Sequence, residues 1–213
     1  MLYIFAAMTG FRRSELGRLT LRSFDLTAIP PTVRIEAACS KHRRLDVQVL
    51  HPELVERLVK WVITQRFSIA NGGGMDVFLS LQQNAMQAAV PLFPIVAKNG
   101  GVERQTSDMM VHDLGAARRA WIHEVDCVEE RHRREESDFL RYRNSDGKYA
   151  DFHGLRHTFI SNLGRAGVSP KTAQVLARHS DISLTMNIYS HVDQAAQADA
   201  INLLPGIPGK KAS

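Results

Sequence analysis

Apolar positions along the 213-residue chain change period several times, and each change marks an expected element. Residues 2–8 are apolar, and RRSELGRL (12–19) continues with Leu16 and Leu19 on one face, so a helix is expected from near Arg13. TVRIEAACS (32–40) and LDVQVL (45–50) alternate apolar and polar positions on either side of KHRR, the pattern of a β-hairpin. ELVERLVKWVITQR (53–66) spaces Leu54, Leu58 and Trp61 as an amphipathic helix. ANGGGMD (70–76) and PLFP (91–94) read as loops by their glycine and proline content, and residues 107–125 read as a helix. The charged stretch 129–148 is expected to be solvated loop or exposed helix.

Punctuation is clearest towards the C-terminus. A helix from about Gly154 should end at Gly164 or Gly167. Ser169 and Pro170 then form a cap and first-turn pair for PKTAQVLARH, and Ser183 can cap a last helix over 183–189. PGIPGKKAS (205–213) is expected to be a disordered tail. The picture is mainly α with a small antiparallel β-sheet, an α+β fold, in one domain over residues 1–204.

Composition narrows the classes. The hydrophobic fraction of 44% and charged fraction of 23% are those of a soluble globular protein. A net charge of +5 suits a polyanionic partner without requiring one. Cys39 and Cys127 stand far apart in no metal-binding spacing, which suggests a reducing compartment and no disulfide framework. MLYIFAAM lacks a basic leader and a cleavage site, so it reads as a core helix rather than a signal peptide. No apolar run reaches the length of a membrane span, and a cytoplasmic location is expected.

The chemistry-bearing residues crowd into 153–191. On a helix, His153, Arg156 and His157 share one face at i, i+3 and i+4. A solvated basic face is the plain reading. Zinc is a second, but Arg156 on that face would repel a cation and no glutamate stands between the histidines. An anionic ligand is the third, and the best supported. Arg156 offers a planar fork of donors that fits phosphate oxygens, and a neighbouring histidine can move a proton near neutral pH. His179 and Tyr189 follow. A phenol is a poor nucleophile unless cations stabilise its phenolate and the transition state, so Tyr189 after this array is a candidate nucleophile.

HGLRHTF, then LARHS, then the tyrosine of IYSH resemble the C-terminal half of the tyrosine recombinase (phage integrase) catalytic domain. That family's remaining two residues have counterparts upstream. MTGFRRSELGRL resembles the segment around its first catalytic arginine, which maps onto Arg12, with Glu15 as its orienting partner and Arg13 the weaker choice of register. The family's lysine sits in a β-hairpin turn, and Lys41 opens the expected turn here. Arg43 and Arg44 are assigned to backbone phosphates or solvent. The chain departs from the family's Leu-Gly-His by reading Leu176, Ala177, Arg178, His179, and Ala177 is expected to still allow the helix to end. The resemblance starts near Thr9. The domain's start is therefore expected to be truncated and the family's N-terminal DNA-clamping domain absent.

The resemblance implies a site-specific DNA recombinase or integrase that works without metal, ATP or any cofactor. Tyr189 would attack the scissile phosphate and form a 3′-phosphotyrosyl bond, Arg12 and Arg156 would hold the non-bridging oxygens, and Lys41 would protonate the leaving 5′-oxygen. His153 would exchange the tyrosine's proton and His179 would hydrogen-bond the phosphate. The implied partner is double-stranded DNA, held by a homo-tetramer on two sites, with no membrane involved. Residues 194–204 would form a helix packing on a neighbouring protomer or on its own core. A type IB topoisomerase-like enzyme and a non-catalytic DNA-binding remnant remain the alternatives.

Overall fold

The computed structural model describes residues 1–37, 44–66, 74–95 and 106–189, together with position 202. Two compact units result, Met1–Phe159 and Ile160–Ser213. The fold class is as expected, mostly helical with a three-stranded antiparallel sheet.

In the first unit, α1 (Leu2–Thr9) is an apolar helix that buries Phe5, Ala6 and Thr9. It stops at Gly10, whose φ of +62° is the left-handed conformation that closes many helices. A Cβ at that position would lie 2.4 Å from Cδ1 of Phe159, so only glycine fits. The single turn α2 (Arg13–Leu16) follows, started by reciprocal bonds between Arg12 and Glu15. β1 (Phe24–Asp25), β2 (Thr32–Ile35) and β3 (Asp46–Val49) form the sheet in that order, with Val33 opposite Gln48 and Ile35 opposite Asp46.

The expected hairpin is present, but β3 turns an unexpected face inward. Val47 and Val49 are 57% and 53% exposed, whereas Gln48 is only 7% exposed. Register explains this, because Gln48 sits across from the buried Val33 and shares its face with the buried Leu50. Turn residues 41–43 lie outside the described residues.

α3 (Pro52–Trp61) buries Leu54, Val55, Leu58 and Val59, and a π-helical turn (Val62–Arg66) carries the run on. α4 (Met75–Gln83) begins inside the stretch read as a loop, and α5 (Ala85–Ala88) was not anticipated either. The core gathers Phe11, Phe24 and Phe93 around Phe5, with ring centroids 5.6–5.9 Å apart. Each such ring contributes about 1.5–3 kcal/mol on burial.

α6 (Thr106–His123) is paired with α7 (Val128–Glu136), which has no buried residue. That makes the first part of 129–148 an exposed helix. Arg118 caps its end by donating to the carbonyls of Arg134, Glu135 and Phe139, and Arg134 lies over the Trp121 ring at 4.7 Å. α8 (Gly154–Arg165) ends one residue past Gly164, and the division between the units falls within it.

The second unit packs α9 (Pro170–Ala177) against α10 (Ser183–Tyr189). Ser169 caps α9 as expected, its hydroxyl accepting from the Thr172 amide at 3.2 Å. Two local expectations change. Asp181 rather than Ser183 starts α10, since its carboxylate accepts from both the Ser183 amide and hydroxyl, and a carboxylate is the stronger acceptor at a helix N-terminus. The helix-ending conformation falls on Arg178 (φ +53°, ψ +43°) and not on Ala177. Residues 194–201 and the tail 205–213 lie outside the described residues. No helix among the described residues is long and apolar enough to cross a membrane.

Candidate active site

The turn after α1 organises the first unit's polar centre. With Gly10 in the left-handed region, its carbonyl accepts a hydrogen bond from Nη1 of Arg156, 146 positions away in sequence. Arg156 is 3% exposed and Glu15 2%, so both charges are withdrawn from water. Glu15 accepts from the Arg12 amide at 2.7 Å and from the Arg12 guanidinium at 2.8 Å. This ion pair, with Glu15 buried and Arg12 partly exposed, is hydrogen-bonded at both partners and holds the Arg12 head in one place.

Arg12, Arg13, His153 and Arg156 line one cavity of about 180 Å³, with Phe11, Phe152 and Thr106 completing its wall. Three guanidiniums around a small cavity favour an anion. The same field acts on His153. Partial burial, then the nearby His157 and Arg156, and less strongly Arg12, push its pKa below the ordinary 6.5, against an opposing pull from Asp151. His153 is therefore neutral at pH 7 and able to take a proton. Its ring meets that of His157 edge-on at 5.1 Å.

In the second unit, Nδ1 of His179 pairs with the hydroxyl of the fully buried Thr185 at 3.0 Å, which orients the ring. Tyr189 closes α10 with its ring resting on Gly164, where an added Cβ would stand 3.5 Å from the ring. Its hydroxyl donates to the Val168 carbonyl at 3.1 Å, and burial pushes its pKa above 10. The phenol is thus protonated and engaged at neutral pH.

Of the expected site residues, Arg12, Glu15, His153 and Arg156 stand together in the first unit. His179 and Tyr189 stand in the second, and Lys41 and Arg43 lie outside the described residues. Arg44 pairs with Asp46 at 3.3 Å on the surface. Three further participants appear: Arg13, the weaker choice of register in the sequence, and Thr106 and Gln48, which the sequence did not single out. Arg13 and Thr106 line the cavity, and Gln48 donates to the Thr9 carbonyl at 3.1 Å from its inward position on β3. Alternation along β3 does not show which face is covered, so the sequence carried no signal for Gln48. Thr106 carried none either.

Residues 128–196 match the model of the phage integrase family. Over that segment the chain is similar to tyrosine recombinases. The segment contains His153, Arg156, His179 and Tyr189, whereas Arg12 and Lys41 precede it. Among relatives, a tyrosine recombinase XerC-like protein of Caldanaerobacter subterraneus subsp. tengcongensis is 43% identical over 56 residues, 26% of this chain and 14% of that protein. The transposase of transposon Tn916 from Enterococcus faecalis is 46% identical over 39 residues, 18% of this chain and 10% of that protein. In fold, the tyrosine recombinase likeness extends much further. The integrase of transposon Tn1549, solved with a circular intermediate DNA, superposes with a TM-score of 0.53 at 18% identity, over 95% of this chain and 57% of that one. The chain thus spans little more than half of that solved chain, and its matched segments are a small part of the curated relatives.

Proposed function

We propose that this chain is the catalytic part of a site-specific DNA recombinase that cuts and rejoins strands through a 3′-phosphotyrosyl intermediate. The observation that carries the reading is the cavity in which Arg12 and Arg156 meet beside a neutral His153. Such a site suits a phosphodiester, whose transition state gains negative charge on its non-bridging oxygens. The two guanidiniums take those oxygens, and His153 accepts the phenolic proton as the Tyr189 oxygen attacks phosphorus. The P–O5′ bond breaks, and the leaving oxygen takes a proton from Lys41 to become a 5′-hydroxyl. His179 donates to the phosphate. The 5′-hydroxyl of a second strand then attacks the phosphotyrosine, which restores the tyrosine and seals the new junction. Ester bonds are exchanged one for one, so the cycle uses no ATP, and the side-chain cations fill the role a metal has elsewhere.

Double-stranded DNA is the proposed partner, with a homo-tetramer on two sites as the assembly and the cytoplasm as the location. The net charge of +5 agrees with a polyanionic partner. Tyr189 must leave the Val168 carbonyl before it can attack, so DNA engagement has to supply that release.

The test uses nicked duplexes built from DNA flanking the gene, with wild type and Tyr189→Phe compared on a denaturing gel. A DNA-linked protein band is expected from wild type alone. A band that persists in Tyr189→Phe means that another group is the nucleophile.

A further inference from the structure

We propose that Gln48 is a positioning residue for the two arginines, holding the Thr9–Gly10 turn from which Arg156 is hung and Arg12 begins. The inference rests on the recombinase reading and goes beyond it, since it concerns a strand residue outside the cavity wall.

An amide on the inward face of a strand is costly to bury unless it is hydrogen-bonded. Gln48 is 7% exposed, opposite the fully buried Val33, and its Nε2 donates to the carbonyl of Thr9 at 3.1 Å. The next carbonyl along, that of Gly10, takes the Arg156 guanidinium. Because Gly10 has φ +62°, the two consecutive carbonyls serve two different partners, β3 on one side and α8 on the other. Thr9 is tied within α1 as well, its hydroxyl donating to the Phe5 carbonyl at 2.7 Å. Two residues beyond Gly10 comes Arg12, fixed by Glu15.

The Thr9–Gly10 turn is therefore a hub on which the sheet, the first arginine and the second arginine converge. Loosening the bond from β3 lets the turn shift, and with it both guanidiniums relative to a bound phosphate. Small displacements at such a site cost up to about 100-fold in rate.

The experiment removes the donor with the near-isosteric Gln48→Met and measures the rate of covalent adduct formation by the 213-residue chain. Two nicked duplexes are compared after the cleavage site has been mapped. One carries the ordinary phosphodiester, the other a methylphosphonate at the scissile position. The methylphosphonate lacks one negative charge and depends less on the arginines. Gln48→Met is expected to slow adduct formation about 10-fold or more on the phosphodiester, by a fraction of the misplacement effect above. On the methylphosphonate the deficit should shrink to about threefold or less, while retention of DNA on a filter stays at the wild-type level.

Gln48→Leu also lacks the donor and keeps an uncharged side chain of similar volume, and it should give the same pattern if Gln48→Met does not fold. An equal deficit on both duplexes, or none on either, overturns the inference and leaves the recombinase reading standing. If wild type forms no adduct on any duplex, it is the recombinase reading that fails, and the inference with it.

Discussion

Arg178 carries a backbone conformation that side chains other than glycine seldom adopt. Its φ of +53° ends α9, and its amide bonds back to the Val175 carbonyl, so the turn is a genuine helix stop placed on a residue with a Cβ. The left-handed conformation costs roughly 1–2 kcal/mol for an ordinary L-residue. Comparing Arg178→Gly with Arg178→Ala removes the guanidinium in both and isolates the backbone. The glycine variant is expected to be the more stable by about 1 kcal/mol, read from denaturant midpoints. The sequence read LARH as a variant of Leu-Gly-His and put the departure on Ala177. Arg178 is the residue that sits where glycine is favoured. Gly10 is the opposite case. There both the positive φ and the 2.4 Å approach of a would-be Cβ to Phe159 require glycine. Its role was not legible in the local sequence, because the partner ring lies far along the chain.

At the scale of elements, local signals translated well where the bonds are local. Ser169 followed by Pro170 marked the start of α9, and the Ser169–Thr172 bond is there. Ser169→Ala is expected to lower stability by about 1 kcal/mol, measured by thermal unfolding, because it strips an acceptor from the first turn. α10 shows the limit of the same signal. Two residues apart, Asp181 and Ser183 are both good caps, and the choice between them depends on the path by which the chain leaves α9. The hairpin was legible from its alternation, but the buried face of β3 was not. Apolar side chains at alternate positions suggest an inward stripe, yet Val47 and Val49 face outward and Gln48 faces in. A period of two shows that the faces differ without showing which one is covered. β1 was missed because two residues carry too little pattern, and α4 because a run of glycines precedes it.

For the whole molecule, the charge state of His153 is the quantity that belongs to no single segment. Burial and the fields of His157, Arg156 and Arg12 lower its pKa, and these groups come from both ends of the first unit. In the unfolded chain the imidazole returns to about 6.5. The unfolded state therefore binds the proton more readily as pH falls. The stability that comes with a neutral His153 is fully present above pH 6.5 and is lost as pH drops through the folded value. Wild type should lose stability as pH falls below about 6.5, and His153→Gln should show a flatter dependence there, measured by urea unfolding at several pH values. An identical slope for the two proteins would remove His153 from the account.

Periodicity, caps and turn residues act over a few positions, so the order and type of most elements followed from the sequence alone. The fold class did too, as did the grouping of His153 and Arg156 on one turn. What tertiary structure decided depends on contacts between distant segments. The Gly10 carbonyl meets Arg156 across 146 positions, Gln48 reaches Thr9 from a strand, and Arg13 and Thr106 join a cavity wall. Such contacts form only when the hydrophobic core brings the segments together, and no local pattern encodes them. The sequence carries the reactive groups; the packing of Phe5, Phe11, Phe24 and Phe93 sets where those of the first unit stand.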